Sequence, residues 1–218
     1  MSNKVYIFDL DGTLIDSMPY FGRGILSIAD DRGMTYDENL LKILTPLGYV
    51  GGAKYLIDLF GLKESVEELC DGVQKKLYND YKNNIPLKPG VREYLEELHS
   101  EGARLFVLTA SPKIMATASL ENNGVAHLFE EIWSVENFGL TKSDTRLFYK
   151  VAEVIGCERE EIHYFDDSLI ALTNANDSGY ITYAVYDAQS EDEIARMKSE
   201  YKYTVMSFAD IKNINSTF

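Results

Sequence analysis

Cysteine is almost missing from the chain: Cys70 and Cys157 are the whole supply in 218 residues. They stand far apart in unlike surroundings, which excludes a disulfide framework and a paired-cysteine metal or redox motif. They read as reduced thiols of an intracellular protein. Histidine is nearly as scarce, and His99, His127 and His163 show no ligand spacing, so they are expected to be structural or surface residues. Basic residues are in deficit, 21 Lys and Arg against 35 Asp and Glu, giving a formal charge of −14. Such a surface disfavours nucleic acid and anionic membrane as partners. It leaves room for a small anion, because a few positive groups and backbone N–H donors hold a phosphate locally. No apolar run approaches the roughly 18 residues of a membrane span, and the N-terminus enters a strand without a signal-peptide pattern. The expected compartment is the cytoplasm; oligomeric state is not readable.

What the chain does have is core material. Hydrophobic residues make up 45% and aromatics 12%, enough for one α/β domain or a domain carrying a smaller one. The organising stretch runs from Lys4 to Ser17. Val5 to Phe8, with Leu10, reads as a buried parallel strand that runs out into Asp9, Asp11, Gly12 and Thr13. In open α/β sheets ligands bind at the carboxyl ends of strands. A solvated turn would explain Asp11-Gly12 alone, but it requires neither Asp9 nor the Thr13 hydroxyl.

Residues 17–84 change character. Helical spacing runs over Tyr20 to Asp31, stopped by Gly33, and over Asp37 to Leu44. A loop with one proline and three glycines, Thr45 to Gly52, precedes helices over Ala53 to Phe60 and Glu64 to Tyr81. A four-helix insertion is predicted. After the break at Asn83 to Gly90 and a helix over Val91 to Ser100, strands and helices alternate. Strands are predicted at Ala103 to Leu108, Glu131 to Val135, Glu161 to Phe165 and Ile181 to Tyr186, with an edge strand over Tyr203 to Phe208. Helices fall at Pro112 to Asn123, Ser143 to Ile155, Leu169 to Ser178 and Glu191 to Glu200. This alternation implies a Rossmann-like parallel sheet with helices on both faces, built from residues 1–16 and 85–218, with residues 17–84 inserted.

If the sheet is parallel, four sets of residues share one edge: Asp9 and Asp11, Thr109 and Ser111, Lys142, and Asp166 with Asp167. Four carboxylates there would repel strongly without a cation. Hard oxygen ligands favour Mg2+ over zinc. With one lysine, a hydroxyl and helix-start N–H groups, this edge has the parts to neutralise a phosphate. Taken singly, each residue has an ordinary explanation: Thr109 as a turn or helix cap, Lys142 as a solvated charge, Asp166-Asp167-Ser168 as a cap.

Taken together and in order, Asp9-Leu10-Asp11-Gly12-Thr13, Thr109, Lys142 and Asp166-Asp167-Ser168 resemble the four signatures of the haloacid-dehalogenase superfamily. The helical insertion resembles its subfamily I cap, so the resemblance spans essentially the whole chain. It implies a phosphoaspartyl mechanism, with Asp9 as nucleophile and Asp11 as the acid, then base, of the two half-reactions. Thr109 and the Ala110 backbone would hold the transferring phosphoryl, and Lys142 would offset charge on Asp9 and the phosphate. Mg2+ would be held by Asp9, the Asp11 backbone carbonyl and Asp167, with Asp166 as a further ligand or a support. The chain departs from the family pattern at Ser143 and Thr145, which replace two prolines upstream of Phe148 and imply a less rigid loop. It departs again at Ala171, where a later Asp is common.

The expected reaction is phosphatase action on a small phosphorylated metabolite. A phosphomutase of the β-phosphoglucomutase type is the alternative, and a silent phosphate-binding regulatory module the alternative from another class. Phe21 stands where the mutases have a histidine, Gly51 where they have an arginine, and Thr13 where they have valine, all of which favour water as final acceptor. Asp11 disfavours dehalogenase chemistry, which lacks that acid. Lys42 and Lys54 are Schiff-base candidates by location only. Tyr20, Arg23, Tyr49 and Lys54 are candidate leaving-group contacts, and residues 12–17 a hinge into a helical lid.

Overall fold

The structure, a computed structural model, describes residues 4–44, 47–188 and 194–211. The chain divides into two compact units, Met1–Asp16 with Pro86–Phe218, and Ser17–Ile85. The first strand, β1 (Val5–Phe8), is buried along its whole length. The second unit follows it and is helical throughout: α1 (Met18–Asp30), α2 (Leu40–Leu44), α3 (Gly48–Phe60) and α4 (Val66–Asn83). Ile25, Ile28 and Ala29 of α1 recur at helical spacing and are buried, as are Leu69, Val73, Leu77 and Tyr81 of α4. Ser65 opens α4 with a reciprocal capping box to Glu68.

One sequence expectation fails here. The glycine-rich stretch read as loop from Thr45 to Gly52 is helical from Gly48 onward; Thr45 and Pro46 lie outside the described residues. Glycine in a helix costs about 1 kcal/mol relative to alanine, and packing explains its presence. A Cβ on Gly52 would stand 3.0 Å from the Ile25 side chain, so its absence lets the buried face of α1 approach α3. Pattern reading took glycine as punctuation where it is a contact.

The rest of the chain completes the sheet with β2 (Arg104–Thr109), β3 (Glu131–Ser134), β4 (Ile162–Asp166), β5 (Ile181–Val185) and β6 (Tyr203–Val205). Helices α5 (Val91–Ser100), α6 (Lys113–Asn122), α7 (Thr145–Ile155), α8 (Leu169–Asp177) and α9 (Ile194–Glu200) alternate with them. All five pairings are parallel, in the order β3-β2-β1-β4-β5-β6. Continuous apolar runs such as Leu105 to Leu108 suit strands covered on both faces. On one face Val5, Ile7, Phe106, Leu108, Ile162 and Tyr164 pack against Leu147, Phe148 and Val151 of α7 and Ala171 and Ala175 of α8. Aromatic rings fill the other. Phe8 stacks on Phe165 at 4.8 Å, Phe165 on Tyr183 at 4.2 Å and Tyr183 on Tyr203 at 4.8 Å. Each such pair adds about 0.5–1.5 kcal/mol beyond its buried area. His163 belongs to this ladder: it stacks on Tyr6, pairs with the Tyr183 hydroxyl, and burial with the nearby Lys4 charge lowers its pKa to about 4, keeping it neutral. Among the described residues no helix is long and apolar enough to cross a membrane.

Gly90 starts α5 in the left-handed region, φ +83°, and a Cβ there would collide with the backbone of Phe208 and Ala209. Gly102 has nearly the same φ, +80°, but faces open space. Gly102→Ala should cost about 1 kcal/mol from backbone strain alone, and Gly90→Ala at least about 2 kcal/mol more from the clash. Urea denaturation of the two variants measures the difference directly.

Candidate active site

The strand order sets the site. Because β1 lies between β2 and β4, Phe8 is level with Val107 on one side and Phe165 on the other. The residues that follow therefore leave the sheet side by side, and the Asp9 N–H still bonds the Phe165 carbonyl at 2.8 Å. Asp9 and Asp166 are buried, and Lys142 reaches between them, donating to an Asp9 carboxylate oxygen and, at 2.8 Å, to Oδ2 of Asp166. The same Asp166 oxygen accepts from the Tyr164 hydroxyl, and its Oδ1 accepts from the Ser168 N–H at 2.8 Å. Asp166 thus accepts three hydrogen bonds inside the fold.

Asp11 and Asp167 are held differently. The Ser111 hydroxyl donates to Oδ2 of Asp11 at 2.6 Å. Thr109 is fully buried, and its Oγ1 accepts the Ser111 N–H at 3.0 Å, so Thr109 shapes the turn that presents Ser111. Ala110, between them, is exposed. Asp167 accepts from the Thr13 hydroxyl at 3.3 Å and packs against Gly12, whose φ is +77°. A Cβ on Gly12 would stand 2.5 Å from Oδ2 of Asp167, so both the turn and the close approach require glycine there.

The loop carrying Lys142 is tied by its own hydrogen bonds. Thr141 and Ser143 share a 2.7 Å hydroxyl–hydroxyl bond, the Asp144 N–H bonds the Thr141 carbonyl at 3.0 Å, and Asp144 caps α7. Fully buried Phe148 anchors the helix behind it.

Burial raises the Asp9 pKa well above the ordinary carboxylate range; Lys142 opposes this, and Asp166, Asp167 and Asp11 add to it. Burial and the Asp166 charge push Asp167 up to about 7. Lys142 loses to burial but gains more from Asp166 and Asp9, so it stays charged. Tyr164, buried beside Asp166, is held well above its ordinary value and remains a donor. Asp9, Asp166 and Asp167 each offer a carboxylate oxygen, and these oxygens lie within 4.8 Å of one another. Three hard-oxygen donors this close together, two of them with raised pKa values, fit a divalent cation such as Mg2+. The Asp11 carboxylate is not among the three; it is turned to Ser111.

Sequence reasoning gave Tyr164 no role, since a tyrosine inside an apolar strand run reads as core. Ser111 was noted at the strand end, but its bond to Asp11 spans 100 positions and has no local signal. In the helical unit Phe21 packs edge-on to Tyr81, the Tyr20 hydroxyl donates to the Asn84 carbonyl at 3.0 Å, and Arg23 lies over the Tyr20 ring. Lys42 and Lys54 are exposed, and the Tyr49 side chain lies outside the described residues.

A parallel sheet in this order, with acids at the ends of β1 and β4 and a lysine in the loop before α7, defines a class, and the sequence comparison agrees. The family profile of the haloacid dehalogenase-like hydrolases matches residues 6–185, and the chain belongs to that family. It is 25% identical over 176 residues to a phosphorylated carbohydrates phosphatase of Thermotoga maritima, covering 81% of this chain and 82% of that protein. It is 25% identical over 225 residues to a phosphoglycolate phosphatase of Aliivibrio fischeri, covering 94% and 97%. A Thermotoga maritima crystal structure carrying a provisional beta-phosphoglucomutase name shares the fold, with a TM-score of 0.85 at 23% identity over 98% of this chain and 99% of that one.

The raised carboxylates give a pH dependence with a definite sign. A carboxyl whose folded pKa exceeds its unfolded value of 3.8 stabilises the fold below that value, and the contribution is lost as pH rises through the folded pKa, about 7 for Asp167. A divalent cation binds the ionised form and offsets the loss. The thermal upshift caused by Mg2+ should therefore be small near about pH 5 and grow toward about pH 8. Thermal melts with and without Mg2+ across this range check it; a constant upshift would contradict it.

Proposed function

We propose that the protein is a Mg2+-dependent phosphatase that hydrolyses a small phosphorylated metabolite through a phosphoaspartyl intermediate on Asp9. What carries this reading is the unequal engagement of the acids at one sheet edge. Asp166 accepts three hydrogen bonds, from Lys142, Tyr164 and Ser168, whereas the Asp9 carboxylate, at the end of the central strand, accepts one, from Lys142. The acid with more free oxygen lone pairs is the nucleophile; the more heavily bonded one orients the lysine.

Asp9 attacks phosphorus as the bond to the leaving oxygen breaks, and Asp11 delivers a proton to that oxygen. Water then attacks the aspartyl phosphate, Asp11 takes its proton, and phosphate leaves with Asp9 regenerated. Ser111 aims the Asp11 carboxyl for both proton transfers. The Ala110 N–H and Thr109 bind the phosphoryl oxygens, and Lys142 lowers the repulsion between them and Asp9. Asp9, Asp167 and the Asp11 backbone carbonyl would hold the metal, with Asp166 in support. When bound, Mg2+ supplies positive charge against the phosphoryl oxygens. Names of the relatives point to phosphorylated carbohydrates and phosphoglycolate as the substrate class to screen. Phe21, packed on Tyr81 where the mutases place a histidine, favours water over a sugar hydroxyl as acceptor.

Hydrolysis of p-nitrophenyl phosphate should require Mg2+ and stop on chelation. Asp9→Asn should reduce it to background, and Asp11→Asn should slow turnover by about 10²–10⁴-fold. Activity that survives in Asp9→Asn would overturn the assignment.

A further inference from the structure

Lys88 has no part in the chemistry above, yet it lies half-buried directly behind the catalytic turn. Residues 86–88 pair with residues 14–16: the Asp16 N–H bonds the Pro86 carbonyl at 3.0 Å, and the Lys88 N–H bonds the Leu14 carbonyl at 2.9 Å. This short pairing places the Lys88 side chain under the loop that carries Asp9 to Thr13. Its Nζ donates to the Gly12 carbonyl and, at 2.9 Å, to the Tyr186 carbonyl, and forms an ion pair with the Asp187 carboxylate at 2.8 Å. Two protons of the ammonium thus go to backbone carbonyls, and its charge is met by Asp187. The side chains of Lys88 and Asp187 are 14% and 4% exposed, so substrate phosphate is not the lysine's partner.

The Gly12 turn is therefore gripped from two sides. Asp167 fills the space where Gly12 lacks a side chain and accepts the Thr13 hydroxyl; Lys88 holds the Gly12 carbonyl. Asp11 precedes this peptide, and its carboxyl is fixed at the far end by Ser111. A cavity of about 280 Å³, bordered by Lys88, Tyr186, Asp187 and Phe208, adjoins the brace. A buried ion pair usually stabilises a fold no better than apolar residues of the same size, and placement explains this one.

We propose that Lys88, neutralised by Asp187, is a positioning residue that holds the Gly12 turn and thereby sets the Asp11 carboxyl for proton delivery. The proposal rests on the phosphatase reading and on Asp11 as its acid.

The test compares kcat/KM for two substrates. Phenyl phosphate has a basic leaving group that needs the Asp11 proton, whereas p-nitrophenolate leaves without one. Lys88→Met should lower kcat/KM for phenyl phosphate by about tenfold or more, and for p-nitrophenyl phosphate by less than about threefold. The pair Lys88→Met with Asp187→Leu removes the brace without stranding a buried carboxylate, and should show the same selective loss. Equal losses on both substrates, or failure of both variants to fold, would assign the pair to stability and overturn the proposal. A wild-type protein inactive on both substrates would instead bring down the phosphatase reading, and this proposal with it.

Discussion

The Lys142 ammonium, buried between Asp9 and Asp166, is the contact on which the rest of the site depends. Withdrawing each of these charges from water costs several kcal/mol, and mutual attraction offsets that only where the remaining lone pairs are also satisfied. The surroundings come closer to that condition on one side, where Tyr164 and the Ser168 N–H also bond Asp166. On the Asp9 side they leave valence over. In the phosphatase reading, that asymmetry makes Asp166 the support and Asp9 the reactive group.

That arrangement follows from strand order. A central β1 flanked by β2 and β4 brings together groups far apart in the chain: Ser111 to Asp11, Thr13 to Asp167, Lys142 to Asp9. Buried aromatic stacks on one face and the α7–α8 packing on the other hold the strands in register. The Gly12 turn converts that register into chemistry, because its missing side chain admits Asp167 and its carbonyl meets Lys88.

Much of this was legible in the sequence. Apolar runs ending in Asp, Thr or Asp-Asp gave the strands and the edge they share, and periodicity gave the helices to within a few residues. Local patterning failed where a residue's reason is tertiary. Gly51 and Gly52 read as a loop because their value is a close approach to other side chains. Tyr164 read as core because only its hydroxyl is polar, and Lys88 was passed over as part of a Pro-Gly break. No spacing rule could pair Lys88 with Asp187, since 98 residues separate Lys88 from the Tyr186 carbonyl it also holds.

The central claim is that Asp9 becomes covalently phosphorylated. Acid-quenching the protein during turnover and mapping phosphoryl groups by peptide mass spectrometry tests it most directly. One phosphoryl group on Asp9, more abundant in Asp11→Asn and absent from Asp9→Asn, is the predicted result. Turnover with no phosphoaspartate, or with the phosphoryl group on another residue, would contradict it.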